Sequence, residues 1–376
     1  MTRRALIGAQ IFDGRDMYVD QACLFDGDVF KGIVACDDIP DDFATEELEG
    51  GTILPGFVDL QVNGGGGVMF NDDTSLDGLI TIAEAHARTG TRAVLPTLIT
   101  DIPERTRAAV DAVEAAIAAG VPGVVGVHLE GPHLSVARKG AHDPSLIRPM
   151  DDPDEAFLIE AAERLPNVMV TIAPENVSLE QMRRLNAAGI ILSLGHTDCS
   201  FDTALAAFDA GVRCVTHLFN AMSQLGNREP GLVGAALHEA GVSAGIIADG
   251  FHVHNASLRT ALSSKRSPGS IFLVTDAMST VGSDISEFSL NGRKVFLKSG
   301  RLTLEDGTLA GAHLSFTKAV SHLVNEVGVS EITALAMATS GPAHLLREPL
   351  HHGHFQANNP ASPILLDRNR EYLRSA

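Results

Sequence analysis

From residue 52 onward, apolar residues come in short unbroken runs, each followed by a longer stretch with helical spacing. The runs are TILPGFVDLQ (52–61), TRAVLPT (91–97), GVVGVHLE (123–130), NVMVTIAPE (167–175), GIILSLGH (189–196), RCVTHLF (213–219), VSAGIIAD (242–249) and SIFLVTDA (270–277). Segments such as LDGLITIAEAHARTG and ERTRAAVDAVEAAIAAG lie between them, and their terminal glycines suit helix C-caps. Strands that are apolar throughout, each followed by a helix, form a parallel sheet covered by helices. Eight such units predict an α/β fold of the (β/α)8 TIM-type barrel class rather than an open doubly wound sheet.

Both ends of the chain read differently. The first fifty residues alternate short β-like pieces (RALIGAQIF, VDQACLF, DVFKGIVAC) with turns, and ASPILLD near the C-terminus reads as a last strand. A small β-sandwich built from both termini follows, with 1–53 and 346–376 flanking a barrel over 54–345. Residues 286–310 predict a strand pair around an Asn-Gly turn, Asn291-Gly292. Helical stretches are expected at about 313–327 and 331–340.

Polar residues collect at the ends of the apolar runs: Asp59, Gln61 and Asn63; Thr97; His128 and Glu130; Glu175; His196; His217; Asp249; Asp276. In a parallel barrel these positions share the C-terminal face, where active sites of such barrels are built. Any one of these histidines is readily explained as a hydrogen-bonded core residue. Together with the carboxylates they form the donor set of a catalytic zinc or related divalent ion. Glu130, His196 and His217 would supply three ligands from strands three, five and six. Asp276 would be the free carboxylate that takes a proton from water and returns it to a leaving group.

Composition narrows the classes. The 47 acidic and 28 basic residues give a net charge of −19, and no basic run interrupts that balance, which argues against nucleic-acid binding. No window approaches 18 uninterrupted apolar residues, so no membrane span is expected. The four cysteines form no CxxC and no signal-peptide pattern precedes residue 13, so a reducing cytoplasmic setting is expected. The glycines of GFVDLQVNGGGG (56–67) fit neither the Walker pattern nor the dinucleotide fingerprint.

The motifs LPGFVDLQVNG, HLEGP, KGAHDP, LGHT, THLFNAM, ADGFHVH, LVTDA and LAG occur in this order over residues 54–311. Together they resemble the amidohydrolase superfamily and, within it, the N-acetylglucosamine-6-phosphate deacetylases. The resemblance implies hydrolysis of the acetamide of an amino-sugar phosphate, with one divalent metal per subunit. Zinc is the first choice, and iron, cobalt or manganese are alternatives. It implies Glu130, His196 and His217 as metal ligands, Asp276 as catalytic base and acid, and His142 as the histidine that holds the acetamide carbonyl.

Asn220, Ala221, Arg228 and His252 match substrate-binding positions near the phosphate, and Leu309, Ala310 and Gly311 form the LAG motif beside the sugar. Some phosphate contacts come from a neighbouring subunit in this family, so a homodimer is implied. Where many relatives carry His-x-His, this chain carries Gln61 and Asn63, which reads as a vacated second metal site facing substrate. His313 and Gly341 depart from the family pattern, His254 is expected to be structural, and HHGH (351–354) is expected to be a solvated loop. The competing readings are the galactosamine epimer as substrate, an amidohydrolase of cyclic amides, and a non-catalytic sugar-phosphate sensor. The cyclic-amide reading is disfavoured because IAPE, with no lysine, ends strand four.

Overall fold

A computed structural model describes residues 3–376. Eight parallel strands form one sheet in sequential order: β1 (Phe57–Val62), β2 (Thr91–Ile99), β3 (Val127–Glu130), β4 (Val168–Ile172), β5 (Ile191–Leu194), β6 (Cys214–Val215), β7 (Ser243–Ile246) and β8 (Ile271–Leu273). A parallel bridge from Val62 of β1 to Ala277, just past β8, closes the barrel at its C-terminal end. The sheet is buried on both faces, which is why its strands read as continuous apolar runs rather than alternations.

Helices α1 (Leu76–Ala87), α2 (Pro103–Ala118), α3 (Asp152–Arg164), α4 (Leu179–Ala187), α5 (Phe201–Asp209), α6 (Gly231–His238), α7 (Asn255–Ser264) and α8 (Phe316–His322) follow the strands in turn. Local chemistry starts them. Ser75, Ser200 and Ser315 accept from backbone N–H groups in the first turn, and Asp151 with Asp154 and Ser178 with Gln181 form capping boxes. The expected 313–327 helix is α8 continued by a π turn over Leu323–Val327, and Glu331–Ala338 forms the next helix.

The two termini pack as two sheets. Pro363–Leu366 pairs antiparallel with Thr52–Pro55, which pairs parallel with Gln10–Phe12, so strands from the two ends of the chain share one sheet on either side of Thr52–Pro55. Arg3–Ile7, Gln21–Asp26, Val29–Ala35 and Ala44–Glu47 form the second sheet. Between the sheets lie Leu6, Ile11, Phe25, Phe30, Ile53, Phe355 and Leu365, with the Phe30 and Phe355 rings stacked at 5.0 Å.

HHGH leads into this core. His351 is exposed, but His352 and His354 are half-buried at the N-terminal ends of the barrel strands, so the stretch is not simply solvated. No trio of ligating atoms converges there among the described residues.

The insertion after β8 has three strands rather than two: Glu287–Leu290, Arg293–Lys298 and Arg301–Leu304. Asn291 and Gly292 both take positive φ (50° and 72°), as a type I′ hairpin turn requires, and Ser299-Gly300 repeats the device (51° and 79°). The insertion's Leu290, Val295, Leu302 and Leu304 pack on Met69, Ile99 and Met278, which lie after β1, at the end of β2 and after β8. A flap therefore covers part of the barrel mouth.

Candidate active site

At the C-terminal end of the barrel a cavity of about 380 Å³ is lined by Glu130, His142, His196, His217, His252 and Asp276, among others. Its size falls within the range of about 300–1,000 Å³ usual for small-molecule sites. Glu130 ends β3 inside the ladder, but His196, His217 and Asp276 lie two or three residues beyond β5, β6 and β8. There the backbone turns left-handed, with φ of 48° at His196, 29° at His217 and 50° at Asp276. Phe219 (79°) and Ala221 (49°) continue the pattern. Such conformations cost roughly 1–3 kcal/mol each and persist only where surrounding structure imposes them.

The Nε2 atoms of His196 and His217 lie 3.2 and 3.1 Å from Glu130 Oε1 and 3.1 Å from each other. A tetrahedral ion with ligand bonds of about 2.0–2.1 Å would set its ligands roughly 3.3 Å apart. His196 Nδ1 donates to the Arg138 carbonyl at 2.8 Å, which leaves its Nε2 with a lone pair facing the cluster. Two imidazole nitrogens and one carboxylate oxygen converge on a single point, as one cation would hold them. Burial would raise the Glu130 carboxyl, but contacts with the two histidines hold it well below the usual carboxylate range. The donor set therefore fits a divalent metal.

His142 approaches the same point, its atoms grouping with Glu130 and His196 within 4.8 Å. Its Nδ1 accepts the Thr100 backbone N–H at 3.3 Å and lies 2.8 Å from the Thr100 hydroxyl. A backbone N–H can only donate, so Nδ1 is an acceptor and the ring proton sits on Nε2. Burial pushes the pKa of His142 down to about 3, so the ring is neutral. His142 thus offers a donor rather than a lone pair.

Asp276 is buried, and Asn63 Nδ2 (2.6 Å) and Gln61 Nε2 (3.2 Å) both donate to its Oδ1. Burial, reinforced by the Glu130 charge, pushes its pKa up to about 6. The Gln61 amide also reaches both Glu130 oxygens at 3.3–3.4 Å, so it fills the space between two like-charged carboxylates. Gln61 does not line the cavity, a correction to the expectation that it faces substrate. Asn63 does line it, and its Oδ1 is buried without a hydrogen-bond partner among the described residues.

The remaining expected residues divide. Asn220, Ala221, His252, Leu309 and Gly311 line the cavity. His252 is held by Asp249, whose carboxylate lies 2.7 Å from Nδ1 and accepts two backbone N–H groups. Ala310 instead packs under the flap. Arg228 is exposed on the loop before α6 and does not line the cavity of its own chain. His313 bonds Thr280 at 3.0 Å, away from the cavity wall, and His254 caps α7.

Among the other strand-end residues, His128 is a core residue, its Nδ1 on the Leu60 carbonyl and its Nε2 on the Thr171 hydroxyl. Burial pushes its pKa down to about 4. Glu175 accepts from Thr197 and from the Asp198 backbone, shaping the loop after His196.

Sequence reasoning missed Thr100, Arg138, Ile99, Leu290 and Met278. Only Arg138 carried a signal, a cation next to KGAHDP; the apolar residues become cavity wall only once the flap folds over.

A model of the amidohydrolase family matches residues 52–373. The chain is 43% identical over 328 residues to an N-acetylgalactosamine-6-phosphate deacetylase of Shewanella sp. (strain ANA-3), covering 87% of this chain and 82% of that protein. It is 33% identical over 345 residues to an N-acetylglucosamine-6-phosphate deacetylase of Haemophilus influenzae, covering 91% and 89%. The crystal structure of N-acetylglucosamine-6-phosphate deacetylase from Pasteurella multocida superposes with a TM-score of 0.94 at 32% identity, covering 100% and 98%.

Proposed function

The chain belongs to the amidohydrolase family, and from that premise we propose that it hydrolyses the acetamide of an N-acetylated amino-sugar 6-phosphate. The products are acetate and the free amine. N-acetyl-D-glucosamine 6-phosphate is the substrate of the first reading, in keeping with the Haemophilus and Pasteurella relatives. The galacto epimer is the second reading, favoured by the 43% identity to the Shewanella protein. The observation that carries the activity is the meeting of three metal-type donors, a neutral histidine donor and a buried carboxylate in one cavity.

Glu130, His196 and His217 would hold one divalent ion, zinc first, with iron, cobalt and manganese suited to the same donors. Bound there, the ion supplies Lewis acidity, which acidifies water and polarises a carbonyl. The chain's own residues do the rest. Asp276 accepts a proton from the attacking water as the new C–O bond forms. The carbonyl π electrons move onto oxygen, and His142 Nε2–H donates to that oxyanion. As the C–N bond breaks, Asp276 returns the proton to the departing amine.

The unpartnered Asn63 Oδ1 is an acceptor for the bound amide or sugar, and His252, with Asn220 and Ala221, binds the phosphate. Arg228 is exposed and does not line its own chain's cavity, so in the homodimer implied by the family resemblance it would serve the phosphate of the neighbouring site. The four cysteines are unpaired, in keeping with a reducing cytoplasm.

The test measures acetate release from the two phosphorylated epimers and from unphosphorylated N-acetylglucosamine, with metal content on the same sample. About one metal per chain and release confined to a phosphorylated sugar is the expected result, and the faster epimer selects between the readings. Bound metal with no release from any of the three compounds overturns the activity.

A further inference from the structure

The barrel's seam contains a buried carboxylate that the proposed reaction does not use. β1 and β8 are the outer strands of the eight-stranded ladder, and among the described residues only the Val62–Ala277 bridge, just past β8, joins the two sides. Below that bridge, Asp59 of β1 spans the gap with its side chain. Its Oδ2 accepts from the Thr275 hydroxyl, and its Oδ1 accepts from the backbone N–H groups of Thr275 (3.3 Å) and Gln61 (3.2 Å). Asp59 is fully buried and makes no ion pair among the described residues. A buried carboxylate without a counter-charge is costly to keep, and an apolar pair would close a seam at less cost.

What the carboxylate does is fix the residue before Asp276. A regular ladder through residues 275–276 would hold both in extended backbone. Asp276 instead has a φ of 50°, its N–H on the Gln61 carbonyl (3.0 Å) and its carbonyl accepting from Ala312 (2.9 Å). Side-chain bonds from Asp59 replace the missing ladder bonds, so the chain is held at Thr275 and free to turn left-handed one residue later. That turn carries the Asp276 carboxylate onto the Asn63 and Gln61 amides. We propose that Asp59, acting through Thr275, is a positioning residue that sets the catalytic carboxylate of Asp276 across the barrel seam. The inference rests on the reading of Asp276 as the base.

The test uses the full chain with metal bound and three substitutions: Thr275→Val, Thr275→Ser and Asp59→Asn. A misplacement of about 1 Å at a reacting group costs on the order of a hundredfold in rate. Thr275→Val should therefore lower kcat by about tenfold to a hundredfold, with KM within about twofold and metal content unchanged. Thr275→Ser, which keeps the hydroxyl, should restore it. Asp59→Asn should fall with the valine variant.

Wild-type kcat in both Thr275→Val and Asp59→Asn overturns the proposal. So does a loss of activity that tracks loss of metal or of folded protein, or that serine does not rescue. Crystal structures of the wild type and Thr275→Val give a readout independent of turnover: the Asp276 carboxylate should leave Asn63 in the variant. If the wild type releases no acetate, the activity reading fails, and displacement or retention of that carboxylate alone decides the clamp.

Discussion

At Asp276 two amides donate to one carboxylate oxygen, while Glu130 lies on the far side of Gln61. Removing the carboxylate's capacity to take a proton, with its shape kept, is the cleanest probe. Asp276→Asn should lower kcat by about 10²–10⁴-fold with metal content unchanged, and single-turnover acetate release would show it. Near-normal turnover would mean the base lies elsewhere.

The pH dependence follows from the same surroundings. Burial raises the Asp276 pKa to about 6, so the carboxylate is protonated, and useless as a base, below that value. A cation beside it favours the charged form, so kcat/KM should fall with decreasing pH through a value at or below about 6. A flat profile from neutrality to well below that value, with metal retained, would contradict the assignment.

In the proposed reaction His142 donates from Nε2 while Thr100 holds Nδ1. His142→Phe should cost about 10²–10³-fold in kcat, the usual loss for one oxyanion donor. The polar strand ends were legible in the sequence because imidazoles and carboxylates stand out from apolar runs. The separation of ligand from donor came only through the family resemblance, since its physical basis is a backbone N–H at Thr100, just past the end of β2 and distant in sequence from His142.

Among the elements, strands and helices announced themselves by local periodicity, and the serine and aspartate caps lie next to the helices they start. Two features escaped. β6 and β8 hold only two and three residues of ladder, because the chain leaves the sheet early to carry His217 and Asp276 inward. The flap gained a third strand through Ser299-Gly300, a turn less marked in sequence than Asn291-Gly292. Leu290 lies in both the flap's packing and the cavity wall. Leu290→Ser should loosen the flap and raise KM severalfold with a smaller change in kcat, since the reacting groups sit on the barrel. Unchanged KM in steady-state kinetics would show that the flap does not help hold substrate.

On the scale of the whole molecule, the chain's two ends meet in one sheet, so the barrel is bracketed by a domain it helps to complete. Arg228 stands exposed beyond the cavity of its own chain. In the proposed homodimer it serves the neighbouring site, which gives a complementation test. Arg228→Ala and Asp276→Asn chains, each weak at low substrate alone, should regain activity when unfolded together and refolded. The mixed dimer has one site with both groups intact. No gain on mixing, with mixed dimers shown to form, would remove Arg228 from the neighbouring site.

The sequence by itself determined the alternation of strand and helix, the eightfold count and the polar face, because each is written in residues close along the chain. The tertiary structure decided which of those polar residues meet. His128 and Glu130 are two residues apart, yet one bonds the Thr171 hydroxyl in the core and the other faces the cavity. Gln61 and Asp276 are separated by 215 positions and share a hydrogen bond. Barrel closure brings such groups together, and the left-handed turns that aim His196, His217 and Asp276 are imposed by neighbouring strands rather than by any preference of His or Asp.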